Sequence, residues 1–293
     1  MSIALVVVTW NSANALPGLL ESIPAGLGEL PYELIVVDND SADDTVEVAR
    51  RLAPECVVVQ TGRNAGYAAG INAGLAEAKP HRATMVLNPD IRLAPGSVET
   101  LFSQLGGRTG ITVPMIRHDD GSLAHSLRRE PTVARAFGEA LLGQRAGKYR
   151  AFGETVVDEA AYRRTGPADW ATGAAMLISA ECEAACGPWD ESFFLYSEET
   201  DYALRARDHG FQTKYVPSAS VTHLGGESRV SPALWSLLTV NKVKLYRKRH
   251  SAPKTALFWS AVMLREASRA AIGHKRSRSA AAALLGRRRA MNN

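Results

Sequence analysis

The N-terminal third of the chain alternates between short apolar runs and amphipathic segments. Four runs rich in β-branched residues are typical of buried parallel strands, and they cover 3–10, 32–39, 56–61 and 83–90. Segments of helical character follow the first three runs, at 15–23, 41–53 and 67–78. This alternation predicts the α/β class, with a mostly parallel central sheet and helices on both faces.

The pattern becomes less regular beyond residue 116. The run 170–179 predicts another buried strand, the stretch 119–122 a turn, and 213–228 a final pair of strands. Two segments, 231–250 and 253–276, combine apolar and basic residues and predict amphipathic helices.

Charge is unevenly distributed, although the net charge is only +4. Residues 242–293 hold 14 Lys and Arg against one acidic residue, a net +13, while residues 1–241 hold 20 against 29, a net −9. A basic tail attracts nucleic acid or an anionic membrane surface. Charge and pattern together predict a domain over 1–230, with halves 1–115 and 116–230, and a basic helical tail over 231–293.

Cysteine usage and hydropathy argue against several classes of protein. Three cysteines are too few and odd in number for a disulfide framework, which fits a reducing cytosol. The apolar N-terminus lacks the basic region of a signal peptide. No window reaches the roughly 18 apolar residues of a membrane span.

Polar residues stand where the predicted parallel strands end. Ligands of such sheets bind beyond the carboxyl ends of the strands. The candidates at these ends are Thr9, Asn11, Asp38, Asn64, Asn88 and Asp90. Asp38 can accept hydrogen bonds from a ribose or a base, and a turn or a helix cap explains it equally well.

A glycine-rich stretch, TGRNAGYAAGINAG, follows the third predicted strand. Its spacing is not GxGxxG and it does not follow the first strand, which argues against a dinucleotide-dependent dehydrogenase. Small residues such as Gly66 let a helix begin close to a ligand, and Asn64 and Asn72 can present amides to that ligand.

Two residues are candidate metal ligands. Asp90, in LNPD, places a carboxylate at the end of the fourth strand, where Mg²⁺ or Mn²⁺ would find oxygen ligands. An Asn-Pro-Asp turn is the simpler explanation when the motif is taken alone. His223, in VTHLGGES, gains significance only if it meets Asp90 in space.

Three carboxylates, Glu198, Glu199 and Asp201, lie within four residues after the run GPWDESFFLYS. A helix beginning after a capping Ser197 would place them in its first turn, with Asp201 paired to Arg205, and this accounts for them structurally. An apolar run that delivers carboxylates to a helix start also suits a general base. Adjacent helical positions point about 100° apart, so one of the pair faces a substrate, and we favour Glu199.

Seven motifs in order carry a resemblance to a known family. The motifs are VVVTWN, VVDNDSADDT, GRNAGYAAGINAGL, LNPD, WATGAAML, GPWDESFFLYSEETDYALRARDHGF and HLGGES. This set resembles the family 2 glycosyltransferases of the GT-A fold, most closely their bacterial rhamnosyltransferase branch. The likeness covers roughly residues 3–228, and its specificity comes from the complete series.

The resemblance implies an inverting enzyme that uses a nucleotide-diphospho-sugar and a divalent metal. Thr9 and Asp38 would meet the nucleoside, and Trp170 and Gly173 would line the pocket. Asn88 and Asp90 fill the DxD position of the family, with Asp90 as the metal ligand and His223 completing the metal shell. Glu199 stands where the family has its catalytic base.

Two departures from the family pattern bear on these roles. NPD lacks the first acid of DxD, so the donor phosphates would supply much of the metal coordination. SEE replaces ED with a longer side chain, and Glu198 remains an alternative base.

The implied activity is transfer of L-rhamnose from dTDP-L-rhamnose to a lipid-linked or polysaccharide acceptor in cell-wall or surface glycan synthesis. Galactofuranosyl, glucosyl or other hexosyl transfer is the alternative within this fold. A sugar-nucleotide nucleotidyltransferase is the alternative from another class, but TWNSANAL has no Lys or Arg for a triphosphate. A non-catalytic binding protein would not need an acid at each catalytic position.

The basic tail is expected to rest on the inner membrane surface, with Trp and Phe at the interface, or to pack on the body of the protein. The expected location is therefore the cytoplasm, peripheral on the cytoplasmic face of the membrane. The tail lacks a recognisable nucleic-acid-binding module, so nucleic acid is not an expected partner. A homo-oligomer and a partner subunit for the tail are left open.

Overall fold

The computed structural model describes residues 2–225 and 231–286. The chain forms two compact units. The first comprises Met1–Leu127, Glu159–Phe194 and Glu198–Gly226, and the second comprises Arg128–Asp158, Leu195–Ser197 and Glu227–Asn293. The end of the HLGGES motif and the last residues of the tail lie outside the described residues.

The strands of the described residues are, in chain order, β1 (Ser2–Thr9), β2 (Tyr32–Asp38), β3 (Val57–Gln60), β4 (His81–Leu87), β5 (Ile91–Leu93), β6 (Thr109–His118), β7 (Leu127–Arg128), β8 (Gly166–Ala168), β9 (Trp170–Ala171), β10 (Ala175–Ser179) and β11 (Gln212–His223). The main sheet has the order β3-β2-β1-β4-β10-β6-β11-β5, and β8 pairs with β11.

The helices of the described residues are α1 (Leu16–Leu27), α2 (Thr45–Leu52), α3 (Tyr67–Glu77), α4 (Ser97–Ser103), α5 (Val133–Leu142), α6 (Ala180–Cys186), α7 (Glu198–Asp208), α8 (Pro232–Arg249), α9 (Ala252–Ala271) and α10 (Lys275–Leu284). Two 3₁₀ turns cover Gly143–Lys148 and Glu159–Arg163.

Side chains of β1 point alternately to the two faces of the sheet. Ile3, Leu5 and Val7 join the core that contains the apolar residues of α1. On the other face, Val6 and Val8 meet Gly74 and Gly70 of α3, where an added Cβ would lie 2.8 and 2.6 Å from the valines. Both faces are covered by helices, which confirms the predicted α/β architecture.

The sheet brings separate parts of the chain to one edge. β1 runs parallel to β2 and β4, so Thr9 lies opposite Asp38 at their carboxyl ends. β10 runs antiparallel to β4, with Ala175 opposite Leu87. The start of β10 therefore lies at the edge where the first strands end.

Two sequence expectations about strands were wrong. The run 170–179 forms two strands, β9 and β10, separated by three residues. Of the stretch 213–228, expected to form a strand pair, residues 213–223 belong to one strand, β11, which pairs with β6 on both sides of a register shift between Val216 and Ser220. The intervening Pro-Ser-Ala resembles a turn in sequence but forms an irregularity within a continuous strand.

The second unit has its own core and its own buried charges. Its apolar cluster contains Ala136 of α5, Tyr246 of α8 and Phe258 of α9. Lys242 of α8 forms ion pairs with Glu139 and Glu154, at 3.1 and 2.6 Å. These contacts group 128–158 with the C-terminal helices, whereas the sequence analysis placed that segment within the domain 1–230.

The C-terminal segments expected at 231–250 and 253–276 correspond to α8 and α9, and α10 follows them. Trp235 donates a hydrogen bond to Glu266, and Phe258 is buried and stacks on Tyr246. These aromatic side chains therefore pack within the second unit and do not form an exposed apolar face. Among the described residues, no helix is both long enough and apolar enough to cross a membrane.

Candidate functional site

The ends of β1 and β2 form the first part of the site. Thr9 donates hydrogen bonds to the carbonyl of Val37 and to the carboxylate of Asp38, at 3.1 and 3.2 Å. Asp38 is buried and also accepts from the amide and hydroxyl of Ser41, at 3.0 and 2.5 Å. The carboxylate thus fixes the loop after β2 and stands at the strand edge where a nucleoside would bind.

Asn11 shapes the same edge through its backbone. Its φ is 50°, and its backbone amide donates a hydrogen bond to the hydroxyl of Ser41. Its side-chain oxygen accepts from the backbone amide of Ala42 at 2.8 Å. In this structure Asn11 joins the loops after β1 and β2.

The glycine-rich stretch meets the run that precedes the carboxylates. Gly66 has a φ of 91°, and a side chain there would overlap the carbonyl of Phe194. The amide of Tyr67 donates to this carbonyl at 2.8 Å, and Asn64 accepts from the amide of Gly66 at 3.2 Å. The absence of a side chain at Gly66 therefore lets the start of α3 approach the backbone of Phe194. Gly70 and Gly74, further along α3, instead pack against the sheet.

Asn72 lies on α3, about one and a half turns after Tyr67. Its side chain donates to the carbonyl of Trp189 and to Glu191, both at 2.9 Å, and accepts from the amide of Trp189 at 2.9 Å. The amide group of Asn72 holds the start of the run before α7. Its expected contact with a nucleotide-sugar remains a prediction.

Asp90 and His223 meet in space, as the metal hypothesis requires. The Nε2 atom of His223 lies 3.2 Å from Oδ1 of Asp90, because β5 places Ile91 opposite His223 on β11. A side chain at Gly225 would overlap Oδ2 of Asp90, so the backbone closes on the carboxylate. Burial acts to raise the pKa of Asp90, but hydrogen bonding and charge from His223 and backbone amides outweigh it, and the pKa lies below its ordinary value.

A carboxylate suits either Mg²⁺ or Mn²⁺ as part of a coordination shell, and an additional imidazole favours Mn²⁺ of the two. Within 2–225 and 231–286, no group of three or more His, Cys, Asp or Glu is arranged to hold a metal by itself. The pair therefore fits a cation that takes its remaining ligands from a bound diphosphate and water. Asn88 stands beside this pair, and its amide donates to the carbonyl of Ala174 at 2.9 Å.

The carboxylates begin α7, and they differ in exposure. Glu198 is buried, with 4% of its surface exposed, and Glu199 is half-buried. Asp201 pairs with Arg205 at 2.9 Å, which confirms that expected structural role. Ser197 has a φ of 75°, whereas a capping serine has extended geometry, so the helix begins differently from the expectation.

Glu199 lies against Gly173. A Cβ placed on Gly173 would come within 3.2 Å of the Cβ of Glu199, so glycine leaves room for this side chain. Trp170 is buried in β9, three residues earlier. The part of the chain that was expected to line the pocket thus borders the candidate base.

Tyr67 is a further candidate site residue, and nothing in the sequence is a reason to select it. Its hydroxyl donates to the carbonyl of Gly173 at 3.2 Å. Burial and the negative charges of Glu198, Glu199 and Asp90 raise its pKa well above the ordinary value, so the hydroxyl stays protonated at neutral pH. The charges of the candidate metal ligand and of the candidate base thus both act on the Tyr67 hydroxyl. A tyrosine in an apolar helical pattern gives no sign of this position.

The chain is similar to glycosyltransferases of known sequence and of known structure. The chain is 29% identical over 236 residues to N-acetylglucosaminyl-diphospho-decaprenol L-rhamnosyltransferase of Mycobacterium tuberculosis. This alignment covers 74% of each of the two chains. Among solved structures, it is similar to the mannosyltransferase PcManGT of Pyrobaculum calidifontis in complex with GDP-Man and Mn²⁺, with a TM-score of 0.59, 15% identity, and 98% and 81% of the two chains covered. A structure of GalNAc-T7 with UDP, GalNAc and Mn²⁺ gives a TM-score of 0.58 at 15% identity and covers 83% and 48% of the two chains.

These structural likenesses show the GT-A fold, with its large central sheet and helices on both sides. The model of one protein family, described as Glycosyl transferase family 2, matches residues 4–164, which is more than half of the chain. The match spans β1 to β4, Asp38, Tyr67 and Asp90. The chain therefore belongs to glycosyl transferase family 2 and is a glycosyltransferase.

Proposed function

We propose that this glycosyltransferase is inverting and metal-dependent, and that it transfers L-rhamnose from dTDP-L-rhamnose to a lipid-linked or polysaccharide acceptor in cell-wall or surface glycan synthesis. The observations that support the reaction type are the Asp90–His223 pair, at 3.2 Å, and the packing of Glu199 on Gly173, whose carbonyl accepts from the Tyr67 hydroxyl. The carboxylates of Asp90, Glu198 and Glu199 all contribute to the raised pKa of Tyr67, so all three act on the same hydroxyl. A cation-binding carboxylate and a basic carboxylate are thereby held around one helix start.

Glu199 is the proposed base. Glu199 keeps part of its surface exposed although its Oε2 atom is buried, whereas Glu198 is buried as a whole residue. Glu199 takes the proton of the acceptor hydroxyl as the oxygen forms a bond to the anomeric carbon, and the bond from that carbon to the diphosphate breaks with its electron pair leaving on the phosphate oxygen. Attack opposite the leaving group inverts the anomeric centre.

Asp90 and His223 are the proposed metal ligands. A divalent cation bound there would supply positive charge to the leaving diphosphate. This supply of charge matters because residues 1–241 carry a net −9 and would repel a diphosphate. Asn88 is proposed to lie beside the same phosphates.

Thr9, Asn11 and Asp38 are proposed to bind the nucleoside. Asn64, Gly66 and Asn72 are proposed to shape the neighbouring wall. Trp170 and Gly173 are proposed to border the sugar. These roles rest on the strand edge and on the helix start described above.

The mycobacterial relative supports the donor and the acceptor. Its name specifies an L-rhamnosyl group and an acceptor joined to decaprenol through a diphosphate. By analogy the acceptor here is lipid-linked, and the enzyme acts at the cytoplasmic face of the membrane. Galactofuranosyl or another hexosyl transfer remains the alternative donor specificity. Family membership disfavours the nucleotidyltransferase alternative.

The test is release of nucleotide from dTDP-rhamnose, UDP-galactofuranose, UDP-glucose and GDP-mannose, each with a polyprenyl-diphospho-sugar acceptor. We expect turnover of dTDP-rhamnose with Mn²⁺ and none with EDTA, and NMR of the product should show an inverted anomeric centre. Turnover of a different donor would replace the proposed sugar. Turnover unaffected by EDTA, or retention at the anomeric centre, would contradict the proposed mechanism.

A further inference from the structure

Residues 141–152 of the second unit expose apolar side chains to an unusual degree. The four large ones, Leu141, Leu142, Tyr149 and Phe152, are between 44% and 74% exposed. Single exposed apolar residues are ordinary on a protein surface, but several in one short segment indicate an interaction site.

The backbone of this segment is folded. A 3₁₀ turn covers Gly143–Lys148, and the amides of Phe152 and Gly153 both donate to the carbonyl of Tyr149 at 3.0 Å. A side chain at Gly138 of α5 would overlap the backbone of Phe152, so the segment is packed closely on α5. The apolar side chains are thus presented from a held backbone.

The charges in the segment have one sign. Arg145, Lys148 and Arg150 are exposed, and no acidic residue occurs between 141 and 153. Cations interleaved with exposed leucine and aromatic side chains match the chemistry of an anionic bilayer, whose headgroups attract the cations and whose acyl boundary accepts the apolar groups. An apolar groove of a folded protein partner would not explain why all the charges in the segment are positive.

Two aromatic residues of α8 and α9 are engaged within the second unit. Trp235 is hydrogen-bonded to Glu266 and lies under Arg265, and Phe258 is fully buried. On α9, Leu257 and Leu264 are exposed, and Trp259 between them is partly buried.

We propose that residues 141–152 form a docking surface for an anionic lipid membrane, with Leu141, Leu142, Tyr149 and Phe152 entering the interface and Arg145, Lys148 and Arg150 contacting the headgroups. The proposal builds on the proposed function, because a lipid-linked acceptor lies at such a surface. It assigns the contact to the segment after α5 and not to the tail helices.

The experiment measures binding of the full chain to sucrose-loaded vesicles by sedimentation, without any substrate. Vesicles of phosphatidylcholine with about one third phosphatidylglycerol should bind the protein, and pure phosphatidylcholine should bind it at least about tenfold more weakly. The double variant Leu141→Ser/Tyr149→Ser should lower the partition coefficient about tenfold on the anionic vesicles. Arg145→Glu/Lys148→Glu should lower it by about fivefold or more for each cation.

The matched control is Leu257→Ser/Leu264→Ser on α9, which removes two exposed apolar side chains from the same unit. It should bind vesicles as the wild type does. Circular dichroism melting checks that each variant is folded, and the altered side chains are exposed, so the melting temperature should not change. Because no turnover is measured, the result stands whether or not the proposed rhamnosyl transfer is correct.

Three outcomes would overturn the proposal. The wild type could fail to bind anionic vesicles, the α9 control could lose binding while the 141–152 variants keep it, or the apolar variants could abolish self-association in gel filtration without any effect on vesicles. The last result would assign the surface to a second copy of the chain.

Discussion

The hydroxyl of Tyr67 donates a hydrogen bond to the carbonyl of Gly173, at 3.2 Å and across 106 positions of the chain. The amide of Tyr67 binds the carbonyl of Phe194 at the same helix start. Tyr67 therefore contacts two segments beside Glu199, the candidate base. One segment contains Gly173, on which Glu199 packs, and the other contains Phe194 and leads into α7.

We expect Tyr67→Phe to lower kcat by about 10- to 100-fold while the donor KM stays within about twofold, because a small displacement of a base costs rate more than binding. The control is Tyr215→Phe, which removes a hydroxyl that also donates to a backbone carbonyl at 3.2 Å, that of Tyr162. Steady-state kinetics of both variants check the prediction. An equal loss of kcat in Tyr67→Phe and Tyr215→Phe would show that Tyr67 acts through general stability and does not position the base.

The two glutamates at the start of α7 should separate in kinetic behaviour. Glu199→Gln keeps the shape of the side chain but removes the base, and we expect kcat to fall by about 10²- to 10⁴-fold. Glu198→Gln, at the buried neighbour, should lower the melting temperature more than Glu199→Gln and reduce kcat less. Single-turnover assays with both variants test this, and the reverse ranking of kcat would make Glu198 the base.

Removal of either metal ligand should be visible without turnover. In the presence of dTDP, the nucleoside diphosphate of the proposed donor, Asp90→Ala and His223→Ala should each weaken Mn²⁺ binding by about tenfold or more. Electron paramagnetic resonance of free Mn²⁺ measures this affinity. Asp120→Ala, which alters an exposed turn acid, is the control. Unchanged Mn²⁺ affinity in both ligand variants would place the cation elsewhere.

His81 should make stability depend on pH. The hydrogen bond with Glu183 raises the pKa of His81 above its ordinary value, with further contributions from the carbonyl of Lys79 and from the charges of Glu183 and Glu33, against the effect of burial. The protonated ring is therefore favoured in the folded state. This stabilisation is fully present below the unfolded pKa of about 6.5 and is lost as the pH rises through the higher folded pKa.

The measurement is urea unfolding of the wild type and of His81→Gln between pH 5 and pH 9. The difference in the free energy of unfolding should be constant below about pH 6 and should shrink as the pH rises. A difference that grows with pH would show that the neutral ring is the favoured form.

Asn241 should stabilise a strained pair of residues in the second unit. Tyr196 and Ser197 both have positive φ, 69° and 75°, and the side chain of Asn241 donates to the carbonyls of Leu195 and Tyr196 at 2.9 and 3.2 Å. We expect Asn241→Ala to cost about 1–3 kcal/mol of unfolding free energy, because it leaves both carbonyls without this donor. Asn241→Asp keeps the shape but cannot donate, so wild-type stability in this variant would contradict the explanation.

Local patterns were sufficient to predict the first four strands, but not β5 and β6. β1, β2 and β4 are short apolar runs buried over most of their length, and such runs have few alternatives in an α/β chain, whereas β3, at the edge of the sheet, is only partly buried. The polar residues at their ends followed from the parallel arrangement, which places Thr9 opposite Asp38. The Asp201–Arg205 pair followed from helical spacing alone.

Interactions between distant segments were not predictable from those patterns. Asn72 was expected to meet a ligand, but nothing in its neighbourhood indicates that Trp189, 117 positions away, would use its amide group. The segment 128–158 was placed in the first domain, since the ion pairs of Lys242 with Glu139 and Glu154 link residues that share no sequence pattern. Pro-Ser-Ala in β11 resembled a turn because sequence does not distinguish a bulge from a reversal.

The distances along the chain have a consequence for folding. Tyr67 meets Gly173, Gly66 meets Phe194, and Asp90 meets His223, so each junction of the site closes a loop of more than 100 residues. Contacts of such sequence separation form late, because chain entropy opposes them until the intervening elements are in place. A nascent chain that has emerged only as far as β4 would contain Thr9 and Asp38 but neither Phe194 nor His223, so the candidate site can be completed only after β11 has emerged.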